Sequence, residues 1–163
     1  MKLQHPALAT FEFEPEYGVL SGHVDLAGAT IPVEIESENA LPAEQETVVG
    51  RLMERVAALD RLARAAILDA PNSDADEDPV TFYAAHHIQE LEPEDLRALF
   101  DTDAPTVAAF LAKLSLRSLC IYPDEDDDAF AVFDYTISEE LTQYVLAVGF
   151  DRGGNALSID MES

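Results

Sequence analysis

Cysteine is almost missing from this chain of 163 residues: Cys120 is the only one, so no disulfide can form within it. It sits in Leu119-Cys120-Ile121, an apolar strand pattern in which a buried, inert thiol is expected. Cations are scarce as well, with nine Lys and Arg against 33 Asp and Glu and a formal charge of -24. That deficit excludes the basic patches on which nucleic acids and anionic membranes are bound. Only seven glycines occur, and they build neither a glycine-rich phosphate loop nor a G-x-S-x-G nucleophile elbow. No stretch approaches the roughly 20 apolar residues of a membrane helix, and Met1-Lys2-Leu3-Gln4-His5-Pro6 lacks the apolar run of a secretory signal. A cytoplasmic protein is the expectation.

Apolar side chains are plentiful, at 48% of residues, and are spread along the whole length. A chain of this size is expected to bury roughly 70% of the surface its unfolded form exposes, enough for one core without staples. We therefore expect a single α+β domain over residues 1–163. The excess of carboxylates bears on association and solubility rather than on fold. A basic protein is the natural partner for it. Acidity for solubility, adaptation to a salty cytoplasm, and a compositional bias hinted at by seven Arg against two Lys are the competing explanations.

The period of the apolar residues divides the chain into blocks. Leu20, Gly22, Val24 and Leu26, and then Ile31, Val33 and Ile35, alternate with polar residues as strands do. A two-residue turn at Ala27-Gly28 would pair Val24 with Ile31 and Leu20 with Ile35, leaving His23, Asp25, Glu34 and Glu36 on a wet, acidic face. Phe11 and Phe13 suggest one more short strand. From Pro42 to Leu68 the spacing predicts one helix whose stripe is Val49, Leu52, Val56, Leu59, Ala63 and Ala66. Pro42 suits its first turn, Glu44 and Glu46 its positive end, and Asp60 to Arg64 an ion pair one turn apart. Asp78-Pro79 then starts a helix through Leu91 with Val80, Tyr83, His87, Ile88 and Leu91 inward. Pro93-Glu94-Asp95 starts another to Phe100, and Asp103-Ala104-Pro105 caps a last one through Leu114.

After Leu114 the period returns to two. Leu114, Leu116, Cys120 and Tyr122 are expected on one side of a strand with Arg117, Leu119 and Ile121 opposite. Strands over Phe130 to Tyr135, Tyr144 to Phe150 and Leu157 to Met161 follow, with a hairpin tip at 123–128 and a turn at Asp151-Arg152-Gly153-Gly154-Asn155. The expected fold is an antiparallel sheet, made of an N-terminal hairpin and a C-terminal four-stranded meander, with a block of helices between. Nothing in the pattern keeps the two β regions from joining in one sheet.

Searches for chemistry in the sequence return little. Asp124, Asp126 and Asp128 alternate like calcium ligands, but Ala129 and Tyr135 stand where the turn glycine and the bidentate glutamate of such a loop belong. His86 and Glu90 share a helix face, yet two ligands do not make a metal site, and His5 and His23 are isolated. We therefore expect no catalytic residues, no metal and no cofactor. The acidic surface remains. From Pro71 to Ser163 there are 21 Asp and Glu against four Lys and Arg, hence about -17. The densest runs, Asp74, Asp76, Glu77 and Asp78 and then Asp124, Glu125, Asp126, Asp127 and Asp128, are the expected partner-binding residues.

Three segments carry a resemblance: Ala129-Phe130-Ala131-Val132-Phe133-Asp134-Tyr135-Thr136-Ile137, Leu141-Thr142-Gln143-Tyr144-Val145-Leu146-Ala147-Val148 with the closing Met161-Glu162-Ser163, and Phe82-Tyr83-Ala84-Ala85-His86-His87-Ile88-Gln89-Glu90-Leu91. They look like an uncharacterised bacterial family of small acidic domains of unknown function. Such families are similar to the immunity proteins of bacterial toxin systems, which neutralise a cognate toxin by covering it. The resemblance implies a protein that binds and neutralises a basic bacterial toxin, and it carries over no catalytic residue. Asp134-Tyr135-Thr136 and Thr142 also have a simpler account, as polar residues that satisfy backbone groups where strands bend. The alternatives are a non-enzymatic housekeeping or regulatory domain that self-associates or docks on a larger complex, and a mimic of DNA for the cleft of a nucleic-acid enzyme.

Overall fold

The structure is a computed structural model, and it describes residues 3–37, 41–72, 78–124 and 129–163. Strands β1 (Glu12–Glu14), β2 (Val19–Leu26) and β3 (Ala29–Glu36) form an antiparallel unit. Leu20 faces Ile35 and Val24 faces Ile31. The turn achieves this register because Ala27 and Gly28 both adopt positive φ, 50° and 84°, the conformation that matches a two-residue loop to the twist of its strands.

Five α-helices follow among the described residues before the chain returns to the sheet: α1 (Ala43–Glu54), α2 (Val56–Asp69), α3 (Pro79–Glu90), α4 (Pro93–Phe100) and α5 (Val107–Ala112). Strand β4 (Ser115–Ile121) then pairs in parallel with β3, and β5 (Ala131–Thr136), β6 (Val145–Phe150) and β7 (Ala156–Glu162) add antiparallel neighbours in chain order. The result is one seven-stranded sheet ordered β1 to β7. Hairpin and meander are thus parts of a single sheet, and the further short strand suggested by Phe11 and Phe13 is β1, which joins the hairpin.

The single helix expected over 42–68 is two. Arg55 sits at φ -104° and ψ 8°, and its N–H bonds to the carbonyl of Leu52. That tightened turn shifts the phase, so the buried stripe ends on Ile67 while Ala66 is only half-buried. Pro42 precedes α1 as its cap residue instead of lying in the first turn. Glu46 does more than complement the dipole: its buried carboxylate accepts the backbone N–H groups of Gln4 and His5 and ties the N-terminal segment to α1. Thr106, not Asp103, caps α5, and that helix stops at Ala112.

Strand β4 carries the other correction. Its register slips between Leu116 and Ser118, a bulge at Arg117 that reverses the alternation. Leu116, Leu119 and Ile121 are all buried, and Cys120, expected inside, is half-buried on the opposite face.

The helices cover one face of the sheet, and the core lies between them. Phe133, Tyr135, Leu146, Val148 and Phe150 project into it beside Leu20, Val33 and Ile35. Two polar networks cross this apolar layer. The Asp60 carboxylate takes both the Tyr135 hydroxyl, at 2.7 Å, and the Arg64 guanidinium, at 3.1 Å, and Arg64 also donates to the Leu114 carbonyl at 2.7 Å. On α3 the fully buried Tyr83 donates to the Tyr144 carbonyl at 3.0 Å and accepts the Ile137 N–H at 3.2 Å.

His87 fixes its own tautomer. A carbonyl, that of Tyr83, lies 2.7 Å from Nδ1, so Nδ1 bears the proton. Nε2 therefore accepts from the Thr142 hydroxyl at 2.9 Å. The Thr142 oxygen in turn accepts the Tyr144 N–H, and Thr136 accepts the Ser138 N–H, so these threonines do satisfy backbone groups at a bend. Burial holds His87 below the usual imidazole value, assisted by the neighbouring His86. It is a neutral packing residue.

Candidate functional site

The register fixes what the helix-free face of the sheet presents. One row runs Glu12, Ser21, Glu34, Cys120, Val132, Gly149 and Ser158 across all seven strands. A second runs through Ser118, Asp134, Ala147 and Asp160, with His23 and Pro32 paired at the far side. Glu14 and Glu36 flank Val19, and Glu162 faces Val145. Small or apolar groups (Cys120, Val132, Ala147 and Gly149) occupy the middle and carboxylates the periphery. An apolar centre with a charged rim is the ordinary composition of a protein-binding patch.

Beside this centre, sharing Cys120 with it, opens a groove of about 520 Å³, with Glu34, Arg117, Cys120, Asp134, Glu139 and Glu162 among its lining residues. Arg117 is partly neutralised by Glu139, 3.5 Å away. Asp134 is the unusual member. One carboxylate oxygen accepts from the Ser118 hydroxyl at 3.3 Å, and the other is buried without a hydrogen-bond donor among the described residues. Burial chiefly, with Glu162 adding repulsion, raises its pKa above the ordinary carboxylate value of 3.8. A buried acceptor without a donor is costly.

The sign of that shift sets an expectation for stability. A carboxyl whose folded pKa is raised stabilises the fold fully below its unfolded value, near 3.8, and loses that contribution as the pH rises through the folded value. Asp134→Asn, which cannot ionise, should therefore match the wild type at pH 3 and exceed it in denaturation midpoint at pH 7. A variant less stable than wild type at pH 7 would mean that the carboxylate already has a donor in the free protein.

Nucleophilic chemistry is poorly served at Cys120. Burial raises the thiol pKa, and Asp134, Glu34 and Glu36 raise it further, so the thiolate that would attack is suppressed. The hydroxyl of Tyr122 is raised too, first by burial.

The acidic loops expected to bind a partner are visible only at their ends. Asp78 caps α3, its carboxylate accepting the N–H groups of Val80 and Thr81, so it is occupied within the fold. Asp124 is exposed and accepts from the Gln45 amide at 2.9 Å. Asp74, Asp76, Glu77, Glu125, Asp126, Asp127 and Asp128 lie outside the described residues, as do two of the three aspartates of the calcium-like spacing. Among the described residues no three His, Cys, Asp or Glu group together as metal ligands, and no helix is long and apolar enough to cross a membrane.

The alternation of β2 and β3 already pointed to His23, Asp25, Glu34 and Glu36 as a wet face. What it could not show is that Asp134, Asp160 and Glu162 continue that face. The join is the parallel pairing of Val33, Glu34 and Ile35 with Leu119, Cys120 and Ile121, and the nearest sequence signal, the half-polar pattern of β5 and β7, does not name a neighbour. Comparison with protein-family models, curated proteins and solved structures gives no match.

Proposed function

We propose that this protein is a non-enzymatic binding protein of the immunity type, which neutralises a basic bacterial toxin by covering it with the acidic face of its sheet. The observation that carries the reading is that no helix among the described residues covers this face, which presents Glu12, Glu14, Asp25, Glu34, Glu36, Asp134, Asp160 and Glu162. Carboxylates in that number repel one another, which costs stability, and a cationic partner relieves the cost. Cys120, Val132, Ala147 and Gly149 supply an apolar centre to this face. Charge on the rim steers encounter, whereas the desolvated centre provides affinity.

The same charge weighs against the reading as a self-associating housekeeping domain, at least through this face. A two-fold dimer would lay each acidic patch on its own copy. The acidic runs 74–78 and 124–128 keep a part in this proposal through the net charge they add.

The test uses a basic toxin encoded beside this protein. Mixed with it, the toxin is expected to form an equimolar complex, lose its activity, and bind more weakly as salt rises. A toxin that stays active and unbound at low salt would sink the reading for that pair.

A further inference from the structure

The two ends of the sheet are closed differently. A free edge strand offers unpaired N–H and C=O groups to any extended chain, and proteins ordinarily blunt such edges with very short strands, prolines, bulges or lysines. At one end β1 is three residues long and covers Val19 to Ser21 of β2. The rest of β2, Gly22 to Leu26, puts His23 and Asp25 on the helix-free face, and Asp25 already accepts from the Thr30 hydroxyl at 3.0 Å. At the other end stands β7, with neither proline nor lysine among its seven residues. A bulge at Leu157 disturbs its start, after which Ser158 to Glu162 pair in unbroken register with Gly149 to Val145. The opposite side of that stretch has no backbone partner among the described residues.

The side chains of this edge determine what fits beside it. Ile159 and Met161 are half-buried against the core, whereas Ser158, Asp160 and Glu162 lie on the helix-free face, the two carboxylates exposed. Leu157, next to them, is 54% exposed, a large apolar side chain left open to water. Neither Asp160 nor Glu162 has a hydrogen-bond or ion-pair partner among the described residues. Residues directly across a pair of strands have Cβ atoms about 4.5 to 5.5 Å apart, so opposite charges there attract and like charges repel. A second copy of this chain, at -24, would bring its own carboxylates to the join. A strand with cations at alternate positions meets both carboxylates and lays its other residues along Ile159 and Met161.

We propose that the partner adds a strand to β7. An extended segment alternating basic and apolar residues pairs along Ser158 to Glu162, with its cations beside Asp160 and Glu162 and its apolar side chains continuing the row of Ile159 and Met161. In strand addition main-chain bonds supply affinity and alternate side chains supply specificity. This mode of docking rests on the basic partner proposed above and fixes how that partner is held: by the edge of the sheet, with the acidic face receiving only every second side chain.

The experiment titrates the whole protein with a short capped peptide of alternating lysine and valine, at about 0.15 M salt to screen distant carboxylates. Two further peptides share its charge: one has the same residues in block order, and one has every backbone nitrogen methylated, so that no amide hydrogen remains. The alternating peptide is expected to bind saturably with a Kd below about 1 mM and at least about tenfold more tightly than the other two, and to slow amide hydrogen exchange in Ser158 to Glu162. Asp160→Lys, at an exposed position, should weaken it by about tenfold. Asp69→Lys, matched in charge at the last residue of α2, should weaken it by no more than about threefold. Equal binding by the methylated peptide, or unchanged exchange in β7, overturns the proposal. So does a dimer of the protein that protects those amides without peptide, because a second copy then fills the edge. With a neighbouring basic toxin, neutralisation without slowed exchange in β7 overturns strand addition and leaves the immunity reading standing. A toxin that stays unbound while the peptide docks on β7 sinks that reading for the pair and leaves the edge as the docking site of a different basic segment.

Discussion

Replacing Tyr83 by phenylalanine is expected to lower folding stability by about 1 to 3 kcal/mol, because the change strands the buried Ile137 N–H, at the cost of a buried unsatisfied group, and frees the half-buried Tyr144 carbonyl. The hydroxyl bridges α3 to the segment after β5 and to the entry of β6, since it donates to Tyr144 and accepts from Ile137. Phenylalanine keeps the ring, and with it the contacts to His87 and Phe110 at centroid distances of 4.2 and 6.2 Å. What is lost is the polar link alone. No water can readily replace it, as Tyr83 is fully buried and Ile137 nearly so. The measurement is urea denaturation, with a lower midpoint and an unchanged slope as the expected result. A loss under about 0.5 kcal/mol, the range of an ordinary surface change, would show that the core relaxes to satisfy both groups.

That bridge also explains why a chain with so acidic a surface folds with a fixed arrangement of helix on sheet. Apolar burial is non-directional and would tolerate α3 sliding along β6 and β7. The Tyr83, His87 and Thr142 bonds, and the Asp60, Arg64 and Tyr135 set on α2, have one satisfied geometry each. They set where the helices sit, and the helices in turn leave the far side of the sheet uncovered.

The local parts of this fold were legible because each rests on neighbours in sequence. Ala27-Gly28 specifies its turn through two positive φ angles, and Asp78-Pro79 specifies a helix start through a cap that accepts two N–H groups. The same holds for the Asp60 to Arg64 pair at 3.1 Å. Three features escaped, each for a physical reason. The break at Arg55 replaces one backbone bond with a shorter-range one and leaves the apolar spacing nearly intact, so periodicity cannot report it. The bulge at Arg117 inserts one residue and exchanges the faces of everything after it, which a strict period of two reads wrongly. The parallel pairing of β3 with β4 depends on five intervening helices closing over one face.

The candidate site suffered most from that last omission. Charge density along the chain drew attention to the runs 74–78 and 124–128, because adjacent carboxylates stand out in a sequence. Asp134 stands among Phe133 and Tyr135 and reads as one polar residue in a strand. Its significance, a buried oxygen without a donor among the described residues in a groove shared with Glu34 and Glu162, exists only in the assembled sheet.

Reversing charge at the groove should separate these two locations. Glu34→Lys with Glu162→Lys changes the net charge from -24 to -20, and both residues border the groove. Asp69→Lys with Glu90→Lys makes the same change at the last residues of α2 and α3, where a cation suits the helix dipole. If the sheet face receives the basic partner, the first pair is expected to slow association about 100-fold at low salt, within the 10- to 1,000-fold range of electrostatic steering. The second pair should change it only a few-fold, as a matched change in overall charge. Stopped-flow mixing at increasing salt is the measurement. The gap between the two variants should close near 0.5 M, where screening shortens to a few ångströms. Equal slowing by both pairs would mean that total charge alone steers encounter and that the face has no special part. A larger loss from a variant neutralised at Asp124 to Asp128 than from the groove pair would move the contact to the hairpin tip.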